Sequence, residues 1–208
     1  MARYCGAACR LCRREGEKLF LKGERCYTGK CAVERREGAP GMHGKGRSSH
    51  SDFKAQLREK QKVKRIFGLL ERSFRGVYEK ASKSKGVTGT ELLLNLERRL
   101  DNIVYRLGFG ASRRLARQMV SHGLVLVNGK NVNIPSYIVK AGDVVEVRER
   151  NRTNVLIQSS MMAAESRVIP EWLSLDKAGV KGTVNALPSR AQMSQGINEQ
   201  LIVELYSR

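Results

Sequence analysis

Apolar residues recur at helical spacing through the middle of the chain. Leu96, Leu100, Ile103, Val104 and Leu107 fall at i, i+4, i+7, i+8 and i+11, one face of a single helix. Gly108 suits its end, because glycine takes the left-handed conformation without a Cβ clash. Ser112 is placed to cap a second helix. There Leu115, Ala116, Met119 and Val120 point inward, and Arg113, Arg114 and Arg117 are left for the opposite side. Gly123 closes it. The period then shortens to that of strands over Leu124–Val127. Asn128-Gly129 predicts a two-residue hairpin turn, since both residues tolerate positive φ. Gly142-Asp143 marks a further turn before Val144–Val147. Leu96–Val147 thus reads as a small module of two helices on short strands. It presents arginines at the start of one helix, beside a strand edge carrying Lys130, a surface suited to phosphate.

Upstream, Ser51 caps a helix containing Phe53, Leu57, Val63, Ile66 and Phe67, and Gly68 breaks it. Phe74, Val77, Tyr78 and Ala81 predict a second helix. Thr88 with Glu91 forms a capping-box pattern ahead of Leu92, Leu93, Leu94 and Leu96. The helical spacing of Phe67, Phe74 and Tyr78 favours core positions over base stacking. Downstream, a helix is expected from Thr153 to about Glu165, with Val155, Leu156 and Met162 inward. Trp172 is expected in the core. Thr183–Leu187 and Leu201–Tyr206 read as short strands.

Charge changes what this pattern is for. The 208 residues carry a formal net charge of +19. Residues 1–47 hold 12 basic and 5 acidic side chains, 48–95 hold 11 and 5, and 96–150 hold 10 and 5, whereas 151–208 hold 6 and 5. The excess is spread over predicted folded structure, which points to a broad basic surface and a polyanionic partner. No run of 18 apolar residues exists, so no spanning helix and no membrane partner are expected. The N-terminal MARYCGAACR has no apolar core of a secretory signal. An intracellular setting with reduced thiols is therefore expected. No dinucleotide loop, Walker loop or deaminase signature occurs, so neither an enzyme nor a small-molecule substrate is expected.

All five cysteines lie within the first 31 residues. Cys9 and Cys12 form a Cys-x2-Cys pair; Cys26 and Cys31 follow after a loop, and Cys5 is left spare. Two pairs separated in this way suit four-thiolate coordination of zinc, and the same donors would also accept an iron–sulfur cluster. Four protein ligands leave no open position for water, so the metal would fold the segment rather than catalyse. Basic residues surround it: Arg10, Arg13, Arg14, Lys18, Lys22, Arg25 and Lys30. The loop GAPGMHGKGRSSHS, residues 38–51, then carries His43, Lys45 and Arg47 on a backbone whose glycines allow close approach to phosphate. His43 and His50 are not expected as ligands beside four better-spaced cysteines.

The expected fold is α+β. Residues 1–47 form a cysteine-rich metal-binding extension with a basic loop. Residues 48–95 plus 151–208 form a helical body with C-terminal strands, and 96–150 an inserted α-then-β module. Arg113, Arg114, Arg117, Arg106, His122, Asn128 and Lys130 are candidate RNA-binding residues within the module. Arg35, Arg36, His43, Lys45, Arg47, Lys54, Arg58, Lys60 and Lys62 are candidates outside it.

The segments QLREKQKVKRIFG and LERRLDNIVYRLGFGASRRLARQMVSHG, the GMHGKG loop and the closing NEQLIVELYSR resemble the small-subunit ribosomal protein S-four (S4) family in its bacterial, cysteine-bearing form. The resemblance runs the length of the chain. It implies a metal-tipped N-terminal extension, a helical domain and the RNA-binding module named after the family. It also implies early binding to a junction in small-subunit ribosomal RNA, nucleation of the subunit body, and a role in decoding accuracy in the cytoplasmic ribosome. Ribosomal proteins S-five and S-twelve are implied as neighbours, and the loop near Lys45 and Arg47 matches a region where messenger RNA enters. Some members repress their own operon.

Overall fold

A computed structural model describes residues 4–36, 38–44, 46, 51–165, 167–194 and 196–207. The helices begin with α1 (Ala8–Glu15), α2 (Ala32–Arg35), α3 (Asp52–Ile66), α4 (Glu71–Ser82) and α5 (Thr88–Glu97). They continue with α6 (Leu100–Arg106) and α7 (Arg113–Ser121), followed by the strands β1 (Val125–Val127), β2 (Lys130–Asn131) and β3 (Val144–Val147). Then come α8 (Glu149–Arg152), α9 (Val155–Ala164), β4 (Leu173–Asp176), β5 (Lys181–Val184) and α10 (Glu199–Tyr206).

The chain divides into two compact units: Met1–Leu92 with Gly196–Arg208, and Leu93–Gln195. This differs from a helical body that takes in all of 151–208. The reason lies in backbone pairing. β4 and β5 join the module's strands in one antiparallel five-stranded sheet of order β2-β1-β3-β5-β4. Trp172, Leu173, Val180 and Val184 share a single core with Ile103, Leu107, Met119, Val125 and Val145. At Gly182 in β5 a Cβ would stand 2.4 Å from both Leu107 δ-carbons, so any larger residue requires Leu107 to shift. Asn128 (φ 50°) and Gly129 (φ 75°) make the expected two-residue hairpin, pairing Val127 with Lys130.

The helix expected through 96–107 is two helices. Arg99 is extended (φ −64°, ψ 137°) and bridges Ile138, and the Arg98 carbonyl accepts from Val139 N at 3.0 Å. Asn102 Nδ2 caps the end of α5 by donating to the Glu97 carbonyl at 3.0 Å. Apolar periodicity persists across such a break because both helices bury the same side. Helix α9 also turns differently from expectation. Ile157 and Ser160 are buried, while Val155, Leu156 and Met162 are exposed. Its Asn154 cap accepts from Leu156 N and fixes where the helix begins.

In the first unit, α1 packs on α2 and α3 around Ala8, Cys12, Leu19 and Leu21. The expected strand at 201–206 is helical. Asn198 caps α10, accepting from Gln200 N, Ile202 is fully buried, and Tyr206 stacks on Tyr78 at 4.5 Å and on Phe74 at 6.3 Å. Its β-branched and aromatic residues favour strand locally, but burial on α3 overrides that preference.

Candidate nucleic-acid interface

The module's helix α7 starts as the sequence predicts. Ser112 accepts from Leu115 N at 3.3 Å, and Ala116, Met119 and Val120 face the core. Its arginines divide. Arg113 turns inward: its guanidinium lies 4.5 Å over the Tyr105 ring, and Nε donates to Asn102 Oδ1 at 2.8 Å. Burial lowers its pKa. Arg117 approaches buried Asp101 at 3.9 Å, and Arg113, Arg114 and Arg117 are all half-buried. His122 is exposed at the far end of α7, about 13 Å from Arg113 at 1.5 Å rise per residue. Lys130 is exposed on β2, at the sheet's edge. Asn128 serves the fold: its Nδ2 donates to Asp143 Oδ1 at 2.9 Å, and its Oδ1 accepts from Val144 N at 2.8 Å.

Two buried carboxylates organise this surface from beneath. Asp101 takes both arms of Arg99, at 3.0 and 2.8 Å. Glu97 accepts from Arg106 at 2.6 Å, Asn102 Nδ2 at 2.6 Å and Ser194 Oγ at 2.7 Å. Burial opposes ionisation of Glu97, but Arg106 and the Ser194 hydroxyl outweigh it and hold the carboxyl below its ordinary range. The Arg106 guanidinium, although desolvated, is held charged by Glu97. By pattern alone Arg106 counts among the RNA-facing cations, and these acids have no visible role. The available signal was the four-residue spacing of Glu97 and Asp101 among arginines, but α5 ends between the two, so no single helical face unites them.

In the first unit, Cys9, Cys12, Cys26 and Cys31 line one cavity of about 10 Å³, and Cys5 is exposed elsewhere. Burial pushes the Cys12 and Cys26 thiols up, against weaker lowering by backbone N–H groups. Among the described residues, no group of three or more His, Cys, Asp or Glu side chains is arranged as a finished metal site. Four thiols lining one cavity are a donor set whose chemistry suits zinc or an iron–sulfur cluster.

The chain's sequence aligns with known families over both units. Residues 3–97 match the family described as Ribosomal protein S4/S9 N-terminal domain, and residues 98–145 match the S4 domain. The chain belongs to the S4 family of ribosomal proteins. It is 61% identical over 208 residues to small ribosomal subunit protein uS4 of Geotalea daltonii, covering 100% of both chains. The proteins of the same name from Citrifermentans bemidjiense and Anaeromyxobacter sp. are 60% and 57% identical at the same coverage. This is a family of ribosomal proteins, not enzymes. Among the described residues, no helix is long and apolar enough to cross a membrane.

The S4-domain match stops at residue 145, short of β4 and β5, which extend the same sheet. Outside that domain, α3 spends most of its cations internally. Arg58 and Arg65 pair with Glu15, whose pKa burial raises. Lys60 is buried and reaches Glu71 at 2.6 Å, joined there by Lys64 at 2.9 Å. Lys62 contacts Glu59 at 3.0 Å, Glu17 at 3.4 Å and the Gly196 carbonyl at 2.8 Å. Lys54 is half-buried. Arg35, Arg36 and His43 are exposed, with Arg10, Arg14, Lys22, Arg25 and Lys30. Lys45, Arg47 and His50 lie outside the described residues.

Proposed function

We infer that this chain is a structural, primary ribosomal-RNA-binding component of the small ribosomal subunit, working in the cytoplasmic ribosome. The observation that carries this is full-length identity of about 60% to proteins named small ribosomal subunit protein uS4. The +19 charge supports it, as do the exposed cations on both units. Exposed Lys130 and His122 and half-exposed Arg114 contact phosphates of the RNA and release its counterions. RNA is read by shape at a junction more than by base edges. The chain nucleates assembly of the subunit body and contributes to decoding accuracy. Its neighbours in this reading are S-five, S-twelve and the entering messenger RNA, the last met by the loop bearing Lys45 and Arg47.

In the same reading, Cys9, Cys12, Cys26 and Cys31 hold zinc, with an iron–sulfur cluster as the alternative the donor set also accepts. Bound zinc would cross-link the segment and supply no catalysis. Its support is the shared cavity of the four thiols, with Cys5 apart. Metal analysis of the purified protein, followed by chelation, tests it: about one zinc per chain and a loosened N-terminal segment after chelation are expected. A metal-free, fully folded segment refutes it. For the main reading, the full chain should bind a small-subunit ribosomal RNA junction fragment with affinity falling steeply with salt, and should remain on small subunits through a high-salt wash. Salt-insensitive binding, or release in the wash, refutes it.

A further inference from the structure

A buried polar network ties the end of α5 to the first turn of α7. Glu97, 1% exposed, is held by Arg106, Ser194 and Asn102 Nδ2. Asn102, also 1% exposed, turns its Oδ1 to Arg113 Nε. Arg113 is the first residue of α7 and is covered by the Tyr105 ring. Such a network is a poor source of stability, since apolar residues of the same volume often serve as well. It confers a defined geometry instead. That matters here because the connection into α7 contains Gly108 (φ 84°) and Gly110, residues that leave an unpinned chain many alternatives. At Gly110 the chain also runs close to α7: a Cβ there would stand 2.9 Å from Ala116 N.

We propose that Glu97 and Asn102 are positioning residues for RNA contact by Arg114. By anchoring Arg113 inward, they set the rotation of α7's first turn. The next side chain, half-buried Arg114, is thereby held about 100° further round the helix from the Tyr105 and Asn102 contacts. This rests on the reading of α7 as RNA-facing. Apolar burial sets which face of α7 meets the core, and the network holds the first turn in that register.

A double-mutant cycle tests this on the full-length protein, with a small-subunit ribosomal RNA junction fragment as probe. Affinity is measured at fixed salt, below the melting temperature of every variant. Arg114→Ala should weaken binding about fivefold and reduce the slope of log K against log salt by about 0.7 to 1. Asn102→Ala should weaken it about threefold in the natural background, yet less than 1.5-fold when Arg114 is already alanine. The same loss from Asn102→Ala in both backgrounds, or none in either, overturns the positioning role, because a purely structural effect would not depend on Arg114. If Arg114→Ala binds like the natural protein, the RNA-facing reading of α7 fails first and the inference falls with it. Should Asn102→Ala not fold, Glu97→Gln, which keeps the shape but removes the charge holding Asn102 and Arg106, takes its place in the cycle with the same expectation.

Discussion

Replacing Arg113 with alanine should unfold the second unit far more readily than replacing its neighbour Arg114. From the sequence, the two arginines are equivalent surface cations; in the structure they are not. Arg113→Ala removes a guanidinium 4.5 Å over Tyr105, worth about 0.5–2 kcal/mol. It also strips the donor from the Oδ1 of Asn102, a buried residue, which costs about 1–3 kcal/mol. A total near 3 kcal/mol, in a unit of roughly 100 residues, lowers Tm by about 12–24 °C. Both positions are half-buried, so the contrast rests on the Tyr105 and Asn102 contacts of Arg113: Arg114→Ala should stay within about 0.5 kcal/mol, or some 4 °C. Trp172 is the only tryptophan and is buried in this unit, so its fluorescence during heating reports this transition selectively. Equal shifts for the two variants would refute the inward placement of Arg113 and every energy assigned to it. A charge-reversal test of RNA binding at Arg113 would for the same reason confound affinity with folding.

Glu71 offers a pH test in the first unit. Burial works against its charge, but hydrogen bonds from Lys60, Lys64 and Tyr206 bring its pKa from 4.5 to about 2. A depressed carboxyl contributes stability that is present above its unfolded value and lost as pH falls through the folded one. Glu71→Gln should therefore cost about 1–2 kcal/mol from pH 8 to 5, reduced from the full linkage value because Glu71 is partly solvated, and the gap should close between pH 4.5 and 2 in denaturant titrations. A gap that persists at pH 2 contradicts the assignment. Gly182→Ala should lose about 1–3 kcal/mol in urea titrations followed by Trp172, through overlap with Leu107; an unchanged midpoint would mean that Leu107 repacks freely. Ile202→Ala should cost about 2–4 kcal/mol by thermal melting, as expected for a fully buried helical position, and a cost below 1 kcal/mol would question how α10 docks on α3.

Much of this protein is determined locally. The caps at Ser51 and Ser112, the break at Gly68, the turns at Asn128-Gly129 and Gly142, and the inward face of α7 follow from side chains acting within a few residues of themselves. The basic character follows from composition, and the gathering of Cys9, Cys12, Cys26 and Cys31 around one cavity from their spacing. Tertiary structure decided what depends on partners distant in sequence. Local pattern cannot assign a strand to one sheet or another, and it was the pairing of β3 with β5 that drew residues 173–184 into the module's sheet. It cannot reveal that Leu201–Tyr206 gains more from docking on α3, where Lys60 lies over the Tyr206 ring and Gln56 donates to Glu204, than from its β propensity. Nor can it show which of two neighbouring cations a ring and an amide from another helix engage. Arg113 and Arg114 are adjacent, identical in chemistry and both half-buried, yet it is Arg113 that meets the Tyr105 ring and Asn102 Oδ1, because a desolvated charge persists only where the surrounding fold supplies its partners.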